Sequence, residues 1–174
     1  MTAGGRPRVV LVGPPGSLAS EAGRELGHRL GVAVRDTDDD VVAAAGKPVA
    51  DVFVDDGEAT FRDLERAAVG RALAEHRGVV VLGSGAVMDP LTEQALTGHT
   101  VAFLDVSVPD AARRLGFGGQ RPVGLGNPRA QWLRLMERRR PVYTRVATVT
   151  VPTDGLEPAA VAEHVEAALA EVAR

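Results

Sequence analysis

The stretch "GPPGSLASE" (Gly13–Glu21) decides the fold. It follows "RVVLV" (8–12), which reads as a buried strand, and precedes "AGRELGHRLG" (22–31), which has the period of a helix. Strand, glycine-rich loop and helix in that order are the layout of a phosphate-binding loop, whose template is G-x-x-x-x-G-K-[ST]. Gly13 and Ser20 fit the template, whereas Leu18 stands at its second glycine and Ala19 at its lysine. The residues alone leave three readings open: a nucleotide site, a site that has lost its cation, and a turn that never held a phosphate.

Working outward, further apolar, β-branched runs occur at 32–34, 78–83, 100–105 and 147–151. Helical periods lie between and after them, at 20–30, 38–46, 59–76, 91–97, 109–115, 129–144 and 158–172, with a shorter helix over 48–58 broken at Gly57. Such alternation predicts an α/β fold with a parallel sheet covered on both faces, its ligands bound beyond the carboxyl ends of the strands. The stretch "LGFGGQRPVGLGNPRA" (115–130) is the one long irregular segment, and a glycine-rich loop of that length reads as a lid. No linker or repeat divides the chain, so residues 1–174 are expected to form one domain.

Composition narrows the classes. Of 174 residues, 45% are hydrophobic and 25% charged, ordinary values for a globular protein. A net charge of −3 gives no general attraction to nucleic acid or an anionic membrane, and 3% aromatics leave few platforms for base stacking. With no cysteine, disulfides, thiolate metal sites and cysteine nucleophiles are excluded. No apolar run is long enough to span a bilayer and the N-terminus lacks the apolar core of a signal peptide, so the expectation is a cytoplasmic monomer. Lys47 is the only lysine, and no lysine near Ala19 stands ready to replace the missing one.

Charged and glycine-rich groups cluster just after the predicted strands. In "RDTDDD" (35–40), Asp36 and Asp38 share a face if the strand continues, and one suits a magnesium ion while the other suits a substrate hydroxyl proton. The plainer alternative is that Asp36 or Thr37 caps the next helix. Arg62 in "EATFRDLE" and Arg139 in "MERRRPVY" suit bidentate recognition of a carboxylate, and equally suit a solvated helix face. Gly83, Ser84 and Gly85 in "VLGSGAV" permit close approach of a ligand to the backbone, or form a tight turn. Arg121 lies in the glycine-rich segment, within reach of a transferred phosphoryl group or in solvent. His28, His76, His99 and His164 have no metal-ligand spacing.

Taken together, "VVLVGPPGS", "DTD", "DVFVDDGEATFRDLE", "LGSGAV", "ARRLGFGGQRPV", "MERRRPVY" and "VATVTV" in this order resemble shikimate kinase over nearly the whole chain. The resemblance implies a three-layer P-loop kinase fold, with five parallel strands in the order 2-3-1-4-5, flanking helices and a lid at about 115–130. It implies transfer of the γ-phosphoryl of ATP to the 3-hydroxyl of shikimate, with Mg²⁺, in the chorismate route to aromatic amino acids. Substrate positions fall on Asp38, Arg62, Gly83, Ser84, Gly85 and Arg139, with Asp38 also helping to take the proton. Nucleotide positions fall on Gly13, Gly16, Ser17, Leu18, Ala19, Ser20, Glu21, Arg114 and Arg121, with Arg121 also catalytic. The metal positions are Ser20 and Asp36.

Departures from the family pattern gather on the donor side, where Leu18, Ala19 and Glu21 replace Gly, Lys and Thr; Ser84 replaces the middle glycine of a triplet. The loop is therefore expected to keep a backbone cradle while losing its point charge, with Ser17 or Ser20 capping the helix instead. A hydrogen bond to a charged group is worth about 1.5–3 kcal/mol, so its loss weakens ATP use by roughly ten- to a few-hundred-fold. Two expectations follow: a weakened shikimate kinase, or a pseudokinase that binds shikimate or a similar hydroxylated cyclic acid without phosphorylating it.

Overall fold

The computed structural model describes residues 5–117 and 126–174. Five strands, β1 (Val9–Val12), β2 (Val34–Asp36), β3 (Val79–Val81), β4 (Val101–Asp105) and β5 (Val149–Pro152), form one parallel sheet in the order β2-β3-β1-β4-β5. This is the order implied by the resemblance. Among the described residues seven helices join and cover them: α1 (Ala19–Leu30), α2 (Thr37–Ala45), α3 (Val49–Glu75), α4 (Pro90–Ala95), α5 (Val108–Leu115), α6 (Pro128–Val146) and α7 (Pro158–Val172). A single 3₁₀ turn, Ala86–Met88, follows β3.

Alternation along β1 divides the core. Val10 and Val12 face a cluster closed by Ala72 of α3 and by Trp132 and Tyr143 of α6. Val9 and Leu11 face a second cluster closed by Ala22 and Leu26 of α1 and Val161 and Val165 of α7. Every residue of β1 is buried, as expected for a central strand of a two-sided parallel sheet. Helix α1 lies close to the sheet because Gly23 has no side chain: a Cβ there would stand 2.5 Å from Val81 Cγ2.

Two boundaries differ from the sequence reading, the end of β2 and the end of the predicted lid. Strand β2 runs to Asp36, two residues beyond the predicted run, and α2 begins at once with Thr37. Asp36 and Asp38 therefore do not share a strand face; Asp38 lies in the first turn of a helix. The break expected at Gly57 is present: α3 is two helical segments on either side of a kink at Gly57 (φ 88°, ψ 166°), a conformation that only glycine adopts without strain. The kink brings the rings of Phe53 and Phe61 to 4.2 Å, whereas eight residues of straight helix would separate them by about 12 Å along the axis. Of the predicted lid, 118–125 lies outside the described residues, and Pro128–Ala130 belong to the first turn of α6.

Candidate active site

The carboxyl ends of β1, β2 and β3 carry two adjoining sets of groups. The first is the loop Gly13–Leu18, which has the shape of a phosphate cradle. Gly16 has φ 88°, and Leu18, the N-cap of α1, has φ 64°, the one non-glycine residue in the left-handed region among the described residues. A leucine in that conformation costs roughly 1–2 kcal/mol, so something outside the residue holds it there. Trp132 Nε1 donates to the Pro15 carbonyl at 3.0 Å and Arg114 Nη1 donates to the Gly16 carbonyl at 2.9 Å. Arg114 is itself anchored on Thr153 and on the Leu156 carbonyl, tying the loop to the start of the β5–α7 connection. Gly13 has no room for a side chain, since a Cβ would approach Ser17 Oγ to 2.6 Å and the Leu104 carbonyl to 2.8 Å.

The loop carries no cationic side chain of its own between Gly13 and Glu21. Ala19 packs with Leu18 against the apolar cluster under α1, and Glu21 is exposed in the first turn of that helix. Neither Ser17 nor Ser20 caps α1, correcting that expectation: the N-cap is Leu18, with no side-chain bond. Ser17 is buried against Gly13, and Ser20 Oγ donates to Asp36 Oδ2 at 2.6 Å. Asp36 Oδ1 also accepts the Asp38 N–H at 3.0 Å, so Asp36 caps α2 while its other oxygen meets the loop hydroxyl. A hydroxyl and a carboxylate oxygen are hard donors of the kind Mg²⁺ takes. Among the described residues no group of three His, Asp or Glu side chains converges on one point, so an ion here would complete its shell with phosphate oxygens and water. A cavity of about 250 Å³ runs from Gly13–Glu21 past Leu82, Arg114 and Leu115 to Asp38 and Ser84, joining the loop to the second set. Arg114 braces the loop backbone there; Arg121 lies outside the described residues.

The second set is built on Gly83–Gly85. Its amide is fixed to α2, Gly83 N–H donating to buried Thr37 Oγ1 at 3.2 Å, and the Ser84 carbonyl accepts from the Tyr143 hydroxyl. Burial pushes that phenol up to about 12, which keeps it a donor. Both glycines are demanded by charged neighbours. A Cβ on Gly83 would stand 2.6 Å from Asp38 Oδ1 and 2.9 Å from Glu65 Oε1; one on Gly85 would stand 2.8 Å from Arg62 Nη1 and 3.1 Å from Arg139 Nη2. Two guanidinium groups from α3 and α6 thus converge over Gly85. Arg62 is paired with Glu65 at 2.7 Å and lies over the rings of Phe61 and Phe53, at 5.1 and 5.9 Å. Arg139 donates to Ser84 Oγ at 3.2 Å and has no carboxylate within ion-pair distance among the described residues. A guanidinium without a carboxylate partner, in a half-buried pocket, is suited to a carboxylate ligand.

Asp38 completes this set. Burial, then the neighbouring charges of Asp36 and Glu65, push its carboxyl up to about 6. At pH 7 such a group is mostly ionised and still basic enough to accept a proton. Burial also raises Glu65, against the opposing effect of Arg62. Glu65 was not singled out from the sequence, yet only 3% of it is exposed. Its spacing was the available signal: Phe61, Glu65, Ala68 and Ala72 follow i, i+4, i+7 and i+11 along the buried stripe. Tyr143, Trp132 and Phe53 were also missed, and the first two act on backbone carbonyls, which no side-chain pattern announces. A larger groove of about 710 Å³, lined by Val108, Trp132, Met136 and Pro141, shares no lining residue with the cavity between the loop and Asp38, and its Arg140 and Arg145 are paired with Asp105 and Glu93.

Comparison with known proteins agrees with the geometry. Residues 15–170 match the family model for shikimate kinase. The chain is 53% identical to a shikimate kinase of Salinispora arenicola, over 94% of this chain and 98% of that one, and 52% identical to a shikimate kinase of Streptomyces avermitilis, over 94% and 95%. Among solved structures, a shikimate kinase from Acinetobacter baumannii in complex with shikimate superposes with a TM-score of 0.85 at 25% identity, over 97% of this chain and 94% of that one. A gluconokinase from Sinorhizobium meliloti, at 22% identity and a TM-score of 0.62 over 97% of this chain and 93% of that one, shares the fold.

Proposed function

This chain belongs to the shikimate kinase family, and we propose that it binds shikimate at Asp38, Arg62, Gly83–Gly85 and Arg139 and phosphorylates the 3-hydroxyl from ATP far more slowly than a lysine-bearing loop would. The observation that carries this reading is the contrast between the two sets: paired guanidinium groups converge over Gly85, while the loop presents Leu18 and Ala19. In the proposed reaction Arg62 and Arg139 clamp the carboxylate, and the Gly83–Gly85 backbone and Asp38 hold the ring hydroxyls. Asp38 takes the proton as the hydroxyl attacks the γ-phosphorus, with ADP as the leaving group. Ser20 and Asp36 would hold Mg²⁺, whose role when bound is to offset charge on the phosphate oxygens. The amides of Gly13–Ser17 are left to hold the phosphates, and Arg121 is assigned to them by its place in the motif. The chain works as one domain.

A second reading, a shikimate-binding pseudokinase, is favoured by one set of changes. Leu18, Ala19 and Glu21 all move the loop away from anion binding, and Glu21 adds negative charge where the dipole of α1 would otherwise favour phosphate. A coupled assay of ADP release separates the two. Slow release that depends on shikimate and disappears in Asp38→Asn supports the kinase. Its absence in a protein that binds shikimate supports the pseudokinase, and absence of shikimate binding sinks both.

A further inference from the structure

Gly83 and Gly85 are glycines because charged side chains occupy the space a Cβ would take, so Ser84 is the only residue of the three that brings a side chain into the pocket. Its position is well determined. The Ser84 carbonyl is held by Tyr143, the preceding amide by Thr37, and the Oγ accepts from Arg139 Nη1 at 3.2 Å while lining the cavity shared with Asp38 and the loop.

The two arginines are held in different ways. Arg62 is held by Glu65, an ionised acceptor that cancels part of its charge. Arg139 is held by neutral hydroxyls, Ser84 Oγ at 3.2 Å and the Tyr143 phenol beside it. A serine hydroxyl has two acceptor lone pairs and one proton, so it fixes one edge of the guanidinium and leaves the charge intact. The remaining donors of Arg139, including Nη2 beside Gly85, stay available to a ligand.

We infer that Ser84 is a positioning residue for Arg139: its hydroxyl orients the guanidinium in the empty pocket without neutralising it, and so sets the affinity for the acceptor's carboxylate. The inference rests on the shikimate-binding reading above and adds a side-chain role at a position that otherwise needs only a backbone. Preorganisation of this kind raises affinity by removing an ordering cost at the moment of binding.

The test uses the full chain and calorimetric titration with shikimate. Ser84→Ala and Ser84→Gly should each weaken binding about tenfold, the scale of one hydrogen bond to a charged group. Ser84→Asp keeps an acceptor but pairs the charge, and should weaken binding by about a hundredfold or more. In an Arg139→Lys background, Ser84→Ala should change affinity by less than about twofold, because the partner it acts through is gone. Nitrogen-15 NMR of the ligand-free protein supplies a readout independent of shikimate: Arg139 side-chain rotation, assigned by its loss in Arg139→Lys, should speed up in Ser84→Ala. Equal or tighter binding by Ser84→Ala or Ser84→Gly would overturn the inference, as would additive effects with Arg139→Lys or unchanged Arg139 rotation. If the unmodified chain does not bind shikimate, the functional reading fails, and the NMR measurement still decides whether Ser84 orients Arg139.

Discussion

The donor loop and the acceptor pocket stand side by side at the ends of β1 and β3, and they depend on their side chains to different degrees. The loop's course is held mostly from outside. Trp132 and Arg114 grip its carbonyls, and under that grip Leu18 adopts a backbone conformation suited to glycine. Its chemistry would have resided in one side chain, and position 19 now carries a methyl group. The second pocket is lined by charged side chains: Arg62 pairs with Glu65, Arg139 bonds Ser84, Asp38 stands beside Gly83, and the glycines leave them room. A cradle can keep its shape without a lysine because its course is maintained by neighbours elsewhere in the fold. A pocket lined by its charged groups keeps its shape and its chemistry together.

The sharpest way to break this comparison is to repair one side. Leu18→Gly, Ala19→Lys and Glu21→Thr in one chain should raise shikimate-dependent ADP release by about a hundredfold or more, since the acceptor side needs no change. No gain would place the defect outside the loop. Damage to the other side comes next in size. Arg139→Ala or Arg62→Ala should weaken shikimate binding by roughly ten- to a hundredfold, read by titration, and Arg62→Ala should also destabilise the fold by leaving Glu65 buried without its partner.

Protonation of Asp38 gives a smaller and more graded effect. With its carboxyl pushed up to about 6, hydrogen bonding from ring hydroxyls to the ionised form should strengthen as pH rises from 5 to 7. The sign for stability is opposite. The folded state holds this proton more tightly than the unfolded chain, so the stabilising contribution is present below about pH 4 and is lost as pH rises through about 6. Asp38→Asn should therefore raise the melting temperature at pH 8 by a few degrees while weakening shikimate binding. The smallest effect is expected from Leu18→Gly alone. Relief of left-handed strain is offset by the entropy of an added glycine and the loss of leucine packing, leaving a change within about 1 kcal/mol in denaturant titration.

The sequence made the fold legible because short apolar runs such as 8–12 and 78–83 alternate with amphipathic segments, and the motif order set the strand order. It made Asp38 and Gly83–Gly85 legible as candidates because charged and glycine residues recur just after strands, whereas Arg62 and Arg139 stand within helices and were assigned through the family resemblance. Glu65 was hidden because a carboxylate three residues from an arginine reads as a surface pair, and only the path of α3 shows it pointing inward. The braces from Trp132 and Arg114 were hidden because they end on backbone carbonyls, 117 and 98 residues away in the chain. The end of β2 was misplaced because Asp36 belongs to the strand by pairing with Val81 and to the next helix by its cap, and local pattern cannot divide a residue between two elements.

Calorimetric titration of one preparation with shikimate and, separately, with Mg·ATP tests the asymmetry most directly. The account predicts saturable binding of shikimate below about 1 mM and binding of Mg·ATP at least tenfold weaker than in the repaired chain. Mg·ATP binding as tight in the unmodified chain as in the repaired one would contradict it, because the loop would then hold a triphosphate without the cation at position 19.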